Sequence, residues 1–210
     1  MKLRQLWAVV SAILLLAACL PLGAVSVAAA TYGKLTYKIV DGEITITACE
    51  PSASGSLTIP STINGYPVTT IGDRAFRDCR YLQSVTIPDS VTNIEEYAFS
   101  RCTSLTSVTI PDSVTTIEDR AFYWCEALTS VTIPDSVTTI EEYAFACCYS
   151  LTSVTIGDSV ITIGSYAFYG CDKLTPLTIP DSVTTIGDWA FADCTSLQSV
   201  TIPDSVTTIG

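Results

Sequence analysis

Three sets of side chains that could do chemistry recur at a fixed interval. Cys79, Cys102, Cys125, Cys148, Cys171 and Cys194 are spaced 23 residues apart, and Asp89, Asp112, Asp135, Asp158, Asp181 and Asp204 keep the same interval. Thiols at regular spacing suggest disulfides or a metal. Equivalent positions on stacked coils, however, hold their Cβ atoms parallel and about 4.8 Å apart, too far and too poorly aimed for a disulfide. The chain has no histidine and the period contains no Cys-x-x-Cys pair, which argues against structural zinc. The column is therefore expected to be buried free thiol, with Cys19, Cys49 and Cys147 outside it and Cys147 a surface thiol. The aspartates sit beside a Pro-Asp-Ser turn and suit turn capping; calcium between stacked carboxylates is the alternative, although nothing matches a dedicated calcium loop.

The third set varies from one repeat to the next. Arg74, Tyr97, Arg120, Tyr143, Tyr166 and Trp189 each precede an Ala-Phe pair, and Arg77, Tyr123, Trp124 and Tyr169 follow it. Aromatic and arginine side chains are the types enriched in recognition patches. Tyr97, Arg120, Tyr143, Tyr166 and Trp189 are accordingly the candidate ligand-binding residues, the competing reading being that they pack between neighbouring coils. A threonine column (Thr86, Thr109, Thr132, Thr155, Thr178, Thr201) should face outward as a flat hydroxyl surface, suited to ladder stability or to broad contact with a protein or glycan. Its dominant Ser-Val-Thr order differs from the Thr-x-Thr of ice-binding faces. Without histidine the usual general base is missing. Serines and carboxylates recur in every repeat, and no unique cluster of acid, base and nucleophile stands out. The expectation is a protein that is not an enzyme and uses no cofactor.

The elements that position these columns follow from the period itself. One unit reads Cys-x-x-Leu-x-x-Val-Thr-Ile-Pro-Asp-Ser-Val-Thr-Thr-Ile-x-x-x-Ala-Phe-x-x, with Gly157 replacing proline in one copy. A divergent copy begins at Leu57 and carries extra residues around Asn64-Gly65. A 23-residue unit cannot bury enough apolar surface alone, so units must stack and share faces. Val108-Thr109-Ile110 alternates like a strand that proline ends, and Val114–Ile117 is a second short extended stretch. Glu118–Cys125 has room for about a turn of helix. Ahead of the repeats, Leu35–Thr47 alternates around Asp41-Gly42, a hairpin signal, and should cover the first coil and shield its edge.

Leu-x-x-Val-x-Ile followed by Pro-x-x-Val-x-x-Ile-x-x-x-Ala-Phe resembles the BspA-like subfamily of leucine-rich repeat bacterial surface proteins, over about residues 57–210. The resemblance implies a right-handed leucine-rich-repeat solenoid, β-rich with short helical turns and parallel strand ladders. It also implies adhesion to host matrix proteins, other cells or glycans. Ser113 stands where asparagine or cysteine would follow the strand, so the usual asparagine ladder should be absent.

Residues 1–30 read as a secretory signal: Lys2 and Arg4, an apolar run from Leu6 to Leu16, and Ala28-x-Ala30 before Thr31. Leu16-Ala17-Ala18-Cys19 also resembles a lipobox, with lipidation at Cys19, and the stretch is long enough for an uncleaved anchor. Every alternative puts the remainder outside the cytoplasm, secreted or at the bacterial cell surface, with residues 31–56 as a hairpin cap and 57–210 as repeats. The last repeat stops midway at Gly210, as in a truncated gene product. A second reading of function is then a spacer presenting a domain missing beyond residue 210. A net charge of −11, or −13 once residues 1–30 are removed, argues against nucleic acid and anionic membrane as partners.

Overall fold

The computed structural model describes residues 27–210 except Pro176. The lipobox Cys19 and the apolar segment from Leu6 to Leu16 lie outside them. Sixteen strands follow in order: β1 Val27–Tyr32, β2 Leu35–Val40, β3 Glu43–Cys49, β4 Ser54–Thr58, β5 Thr62–Ile63, β6 Tyr66–Ile71, β7 Tyr81–Thr86, β8 Asn93–Ile94, β9 Ser107–Thr109, β10 Thr116–Ile117, β11 Ser130–Thr132, β12 Thr139–Ile140, β13 Ser153–Thr155, β14 Thr162–Ile163, β15 Thr185–Ile186 and β16 Thr208–Ile209.

They wind into a β-solenoid of about seven turns whose sides stack in parallel register. The first side carries the Ser-Val-Thr triplets, so Val108 pairs in register with Val85, and Val131 with Val154. The second carries Thr-Ile, with Ile117, Ile140, Ile163, Ile186 and Ile209 in one line. Alternation decides which side chains go in: along β9 Val108 is buried while Ser107 and Thr109 are exposed. In the coil that begins at Cys102, all eight apolar positions (Cys102, Leu105, Val108, Ile110, Val114, Ile117, Ala121, Phe122) are buried. Phe76, Phe99, Phe122, Phe145, Phe168 and Phe191 stack along the axis with ring centroids 4.8 to 5.6 Å apart.

The third side departs from the expected helical turn. Among the described residues no helix forms, and so none is long and apolar enough to cross a membrane. The reason lies in where the amides go. Ala121 N donates to Glu118 O and Tyr123 N to Arg120 O, closing local turns. The intervening amides reach the next coil: Arg120 N to Glu142 O (3.0 Å), Phe122 N to Ala144 O (2.8 Å) and Trp124 N to Ala146 O (2.9 Å). A helix would need those amides for itself. Alternation is made possible by a left-handed residue at two points of each coil. Arg74, Tyr97, Arg120, Tyr143, Tyr166 and Trp189 have φ of 55 to 57°, and Asp78, Arg101, Trp124, Cys147, Gly170 and Asp193 have φ of 57 to 67°.

At the N-terminal end β2 and β3 pair antiparallel across Asp41 (φ 52°) and Gly42 (φ 83°), where both residues must adopt positive φ. β3 then pairs parallel with β6, Ile46 opposite Ile71, and so becomes the first rung of the Thr-Ile side. β1 adds a further antiparallel strand on β2, with Thr31 opposite Thr36 and Tyr32 opposite Leu35. That strand runs across the expected cleavage point between Ala30 and Thr31. The extra residues of the first coil form the β5–β6 hairpin, and the Asn64 amide nitrogen at its tip donates to the Tyr37 hydroxyl at 3.0 Å.

Candidate recognition column

The aromatic and arginine residues expected to recognise a ligand lie on one edge, and the structure brings all five together. Each occupies the left-handed position before Ala-Phe, which turns the side chain out of the core and aligns it with its equivalents on adjacent coils. Arg74 lies over the Tyr97 ring at 4.7 Å, Arg120 over Tyr97 at 5.5 Å and over Tyr143 at 4.5 Å. Tyr143 stacks on Tyr166 at 4.6 Å, and Tyr166 on Trp189 at 6.4 Å. The result is one continuous pile of π faces and guanidinium planes. Tyr97, Arg120, Tyr143 and Tyr166 are half-buried by it, whereas Trp189 is 64% exposed. Tyr123 and Tyr169 meet the pile edge-on, at 6.2 Å from Tyr143 and 5.8 Å from Tyr166. Arg77 also lies over Tyr97, at 5.6 Å, and Trp124 packs beneath Arg101 at 5.2 Å. Both readings of these residues have physical support, because they pack between coils and still leave a ribbed edge of rings to solvent.

Carboxylates run beside the column. Asp119 pairs with Arg120, Asp73 with Arg74, and Asp78 with Arg80 at 2.7 Å. Burial, reinforced by Glu141 and Glu95 on the neighbouring coils, raises the Glu118 carboxyl above its usual range.

The threonine column is exposed throughout, as expected. Ser107, Thr109, Ser130, Thr132, Thr155 and the aspartates 112, 135 and 158 line a shallow groove of about 660 Å³ on that side. All six periodic aspartates are exposed, and Asp135 accepts from the Asp158 amide at 2.9 Å, a bond from one coil to the next rather than a local turn cap. Among the described residues no cluster of three or more His, Cys, Asp or Glu is arranged to hold a metal.

Two cysteine expectations are corrected. Cys147 is not a surface thiol but is buried at 8% exposure: it occupies a left-handed position, and Tyr149 and Gly170 close over it. Cys49 is not outside the column but caps it, since Cys79 Sγ donates to Cys49 O at 3.9 Å. Further along, each thiol donates to the phenylalanine carbonyl of the preceding coil: Cys102 to Phe76 O at 3.1 Å, Cys125 to Phe99 O at 3.2 Å, Cys194 to Phe168 O at 3.2 Å. Desolvation pushes the Cys102 thiol up to about 12, and Cys125 and Cys148 upward likewise, so these groups are structural and unreactive.

A serine column went unread in the sequence. Ser90 Oγ donates to Val68 O at 2.7 Å, Ser136 to Val114 O at 2.6 Å, Ser182 to Val160 O at 2.7 Å and Ser205 to Val183 O at 2.8 Å, with Ser113 bonded to Val91 O in the same way. It does the work of the missing asparagine ladder. Its signal was the invariant Ser of Pro-Asp-Ser-Val, read only as a turn residue.

Stacked coils with short parallel ladders, apolar columns inside and hydrogen-bonded turns outside define a leucine-rich repeat scaffold. The family model for the BspA type leucine rich repeat region matches in six copies over residues 44–174 and 115–210, and the chain belongs to that family. A solved leucine-rich repeat protein from Bacteroides ovatus is 30% identical with a TM-score of 0.61, covering 84% of this chain and 54% of its own. A leucine rich cell surface protein from Faecalibacterium prausnitzii is 37% identical with a TM-score of 0.59, covering 82% and 54% respectively. The pneumococcal vaccine antigen PcpA, at 24% identity and a TM-score of 0.63, shares the fold. The chain thus spans about half the length of these structures. No curated protein matches it.

Proposed function

We propose that this chain is an exported binding scaffold of the bacterial cell surface, attaching its bearer to host matrix proteins, other cells or surface glycans. The observation that carries this reading is the column Tyr97–Arg120–Tyr143–Tyr166–Trp189: it stacks large aromatic and arginine side chains that change from coil to coil, whereas the Ser-Val-Thr and Thr-Ile sides repeat. A uniform Ser-Thr face supplies many equal contacts and little selectivity, whereas rigid aromatic groups supply large contact area at low entropy cost. The cell-surface description of the Faecalibacterium protein supports the location.

The test is binding to a panel of matrix proteins and glycans by the protein and by two quadruple variants. Replacing Tyr97, Tyr143, Tyr166 and Trp189 with serine should weaken binding at least about tenfold, or about 1.4 kcal/mol. Replacing Thr109, Thr132, Thr155 and Thr178 with serine should leave it nearly unchanged. Loss only in the threonine set would put the site on the strand side. Absence of any binding at micromolar concentration would favour the second reading, a spacer that holds another domain away from the cell, for which the uniform ladders of the two strand sides speak.

A further inference from the structure

The extra residues of the first coil place an Asn-Gly pair at the tip of the β5–β6 hairpin, where Thr62 lies opposite Pro67 and Ile63 opposite Tyr66. Asn64 (φ 53°) and Gly65 (φ 85°) are both left-handed, as a two-residue turn of this hand requires. A Cβ added at Gly65 would meet nothing within 4 Å, so glycine stands there for conformation and not for space. Its backbone nitrogen consequently has no side chain beside it to block an approach by the Asn64 amide. Asn64 is exposed, and among the described residues its one side-chain hydrogen bond runs from Nδ2 to the hydroxyl of buried Tyr37 at 3.0 Å. That bond clasps the first coil to β2 of the cap. A second clasp, from Thr69 Oγ1 to the Glu43 carboxylate at 3.0 Å, joins β6 to β3. The chain has one other asparagine, Asn93, which lies in β8 and is followed by the branched Ile94.

We infer that Asn64 is a site of spontaneous covalent modification, held closed by the turn and by Tyr37, and that its conversion loosens the cap from the first coil. The Gly65 nitrogen attacks Asn64 Cγ. A C–N bond forms, the Cγ–Nδ2 bond breaks, ammonia leaves with the proton from Gly65 N, and a succinimide ring remains. Water then opens the ring. Addition at Cγ leaves aspartate; addition at the backbone carbonyl leaves isoaspartate, in which the chain continues through the side chain. Folded geometry opposes the first step. At the typical ψ of a left-handed residue, about +47°, the following nitrogen lies nearly anti to Cβ about the Cα–C bond, so the tip must open before Gly65 N reaches Cγ. Opening also has to break the bond to Tyr37. Aspartate can still accept from the Tyr37 hydroxyl and leaves the turn length unchanged. Isoaspartate adds a backbone carbon to a loop whose register admits two residues, and it is this product that undoes the clasp.

The purified protein is aged in warm, mildly alkaline buffer and followed by mass spectrometry of its tryptic peptides. Peptide 39–74 should gain the mass of an amide turned into an acid and separate into two isomers, while peptide 81–101, which holds Asn93, stays unchanged. Asp41-Gly42 in the same turn form carries no amide and adds no mass. Protein unfolded in guanidinium chloride should convert at least about tenfold faster than native protein, because the native tip must first open locally. Tyr37→Phe keeps the buried ring, removes the acceptor, and should speed native conversion about fivefold. Unfolded, that variant should match the parent. In the isoaspartate form the Val68 amide, which donates to Ser61 O at 2.9 Å, should exchange with deuterium faster than in fresh protein, whereas the Phe122 amide should not change. Circular dichroism checks the fold of each sample. Equal conversion of native and unfolded protein, an unchanged rate in Tyr37→Phe, or a peptide 39–74 that never gains mass overturns the inference.

Discussion

A left-handed backbone at a tyrosine or a tryptophan is costly, of order 1 kcal/mol, and this chain accepts it at Tyr97, Tyr143, Tyr166 and Trp189 for side chains that then stack on their neighbours. The second left-handed column offers a clean measurement of that cost, because one member is Gly170, and a Cβ added there would meet nothing closer than 3.8 Å. Gly170→Ala should therefore lose about 1 kcal/mol from conformation alone, read as a shift in the urea midpoint at constant slope. The thiols make a second prediction. Burial holds the native ionisation of Cys102, Cys125 and Cys148 above the unfolded value of about 8.5, with Cys102 raised to about 12. They stabilise the fold fully below pH of about 8.5, and that stabilisation is lost as pH rises toward 12. Urea midpoints should hold from pH 7 to 8 and fall steadily above about 9, while native thiols stay unreactive and those of the unfolded chain titrate freely. Fewer than three free thiols after unfolding would contradict the buried column. The column itself was readable from spacing; the burial of Cys147 was not, because it depends on a left-handed turn that no local motif announces.

Serine and phenylalanine ladders join one coil to the next, and their contributions can be separated. Ser136→Ala removes the donor to a buried carbonyl and should cost about 1 kcal/mol. Ser159 belongs to the coil where Gly157 replaces proline and makes no such bond among the described residues; Ser159→Ala should be nearly neutral, by the same urea titration. Phe122→Ala, which empties a site between two stacked rings, should cost about 3 to 5 kcal/mol. These elements show what sequence could reveal. Val108-Thr109-Ile110 reads as a strand because alternation and proline agree, and β9 lies there. Asp41-Gly42 reads as a hairpin because few residues tolerate two positive φ values in succession. Glu118–Cys125 misleads, since a helix and a string of turns use the same residues and differ only in where alternate amides donate. The recognition column was visible because it varied against a monotonous background. That its rings form one pile was not visible, because the pile depends on how the coils register.

On the scale of the whole molecule, each coil touches only the next, so stability accumulates coil by coil. Deleting residues 116–138 would join Thr115 to Thr139 and restore the same Val-Thr-Thr-Ile stretch. The shortened protein should keep its circular dichroism spectrum and lose only part of its stability, whereas a deletion that is not a whole unit should unfold it. The ladders also give the molecule a mechanical character. The bonds from Cys102 to Phe76, Ser136 to Val114 and Phe122 to Ala144 all run along the solenoid axis between neighbours. Tension applied through the two ends would meet them one coil at a time rather than all at once. Each yielding coil would release 23 residues, about 80 Å of slack. Under a sudden pull the protein would lengthen in even steps and spread the shock over time, as a tether must if the grip at its far end is to survive flow.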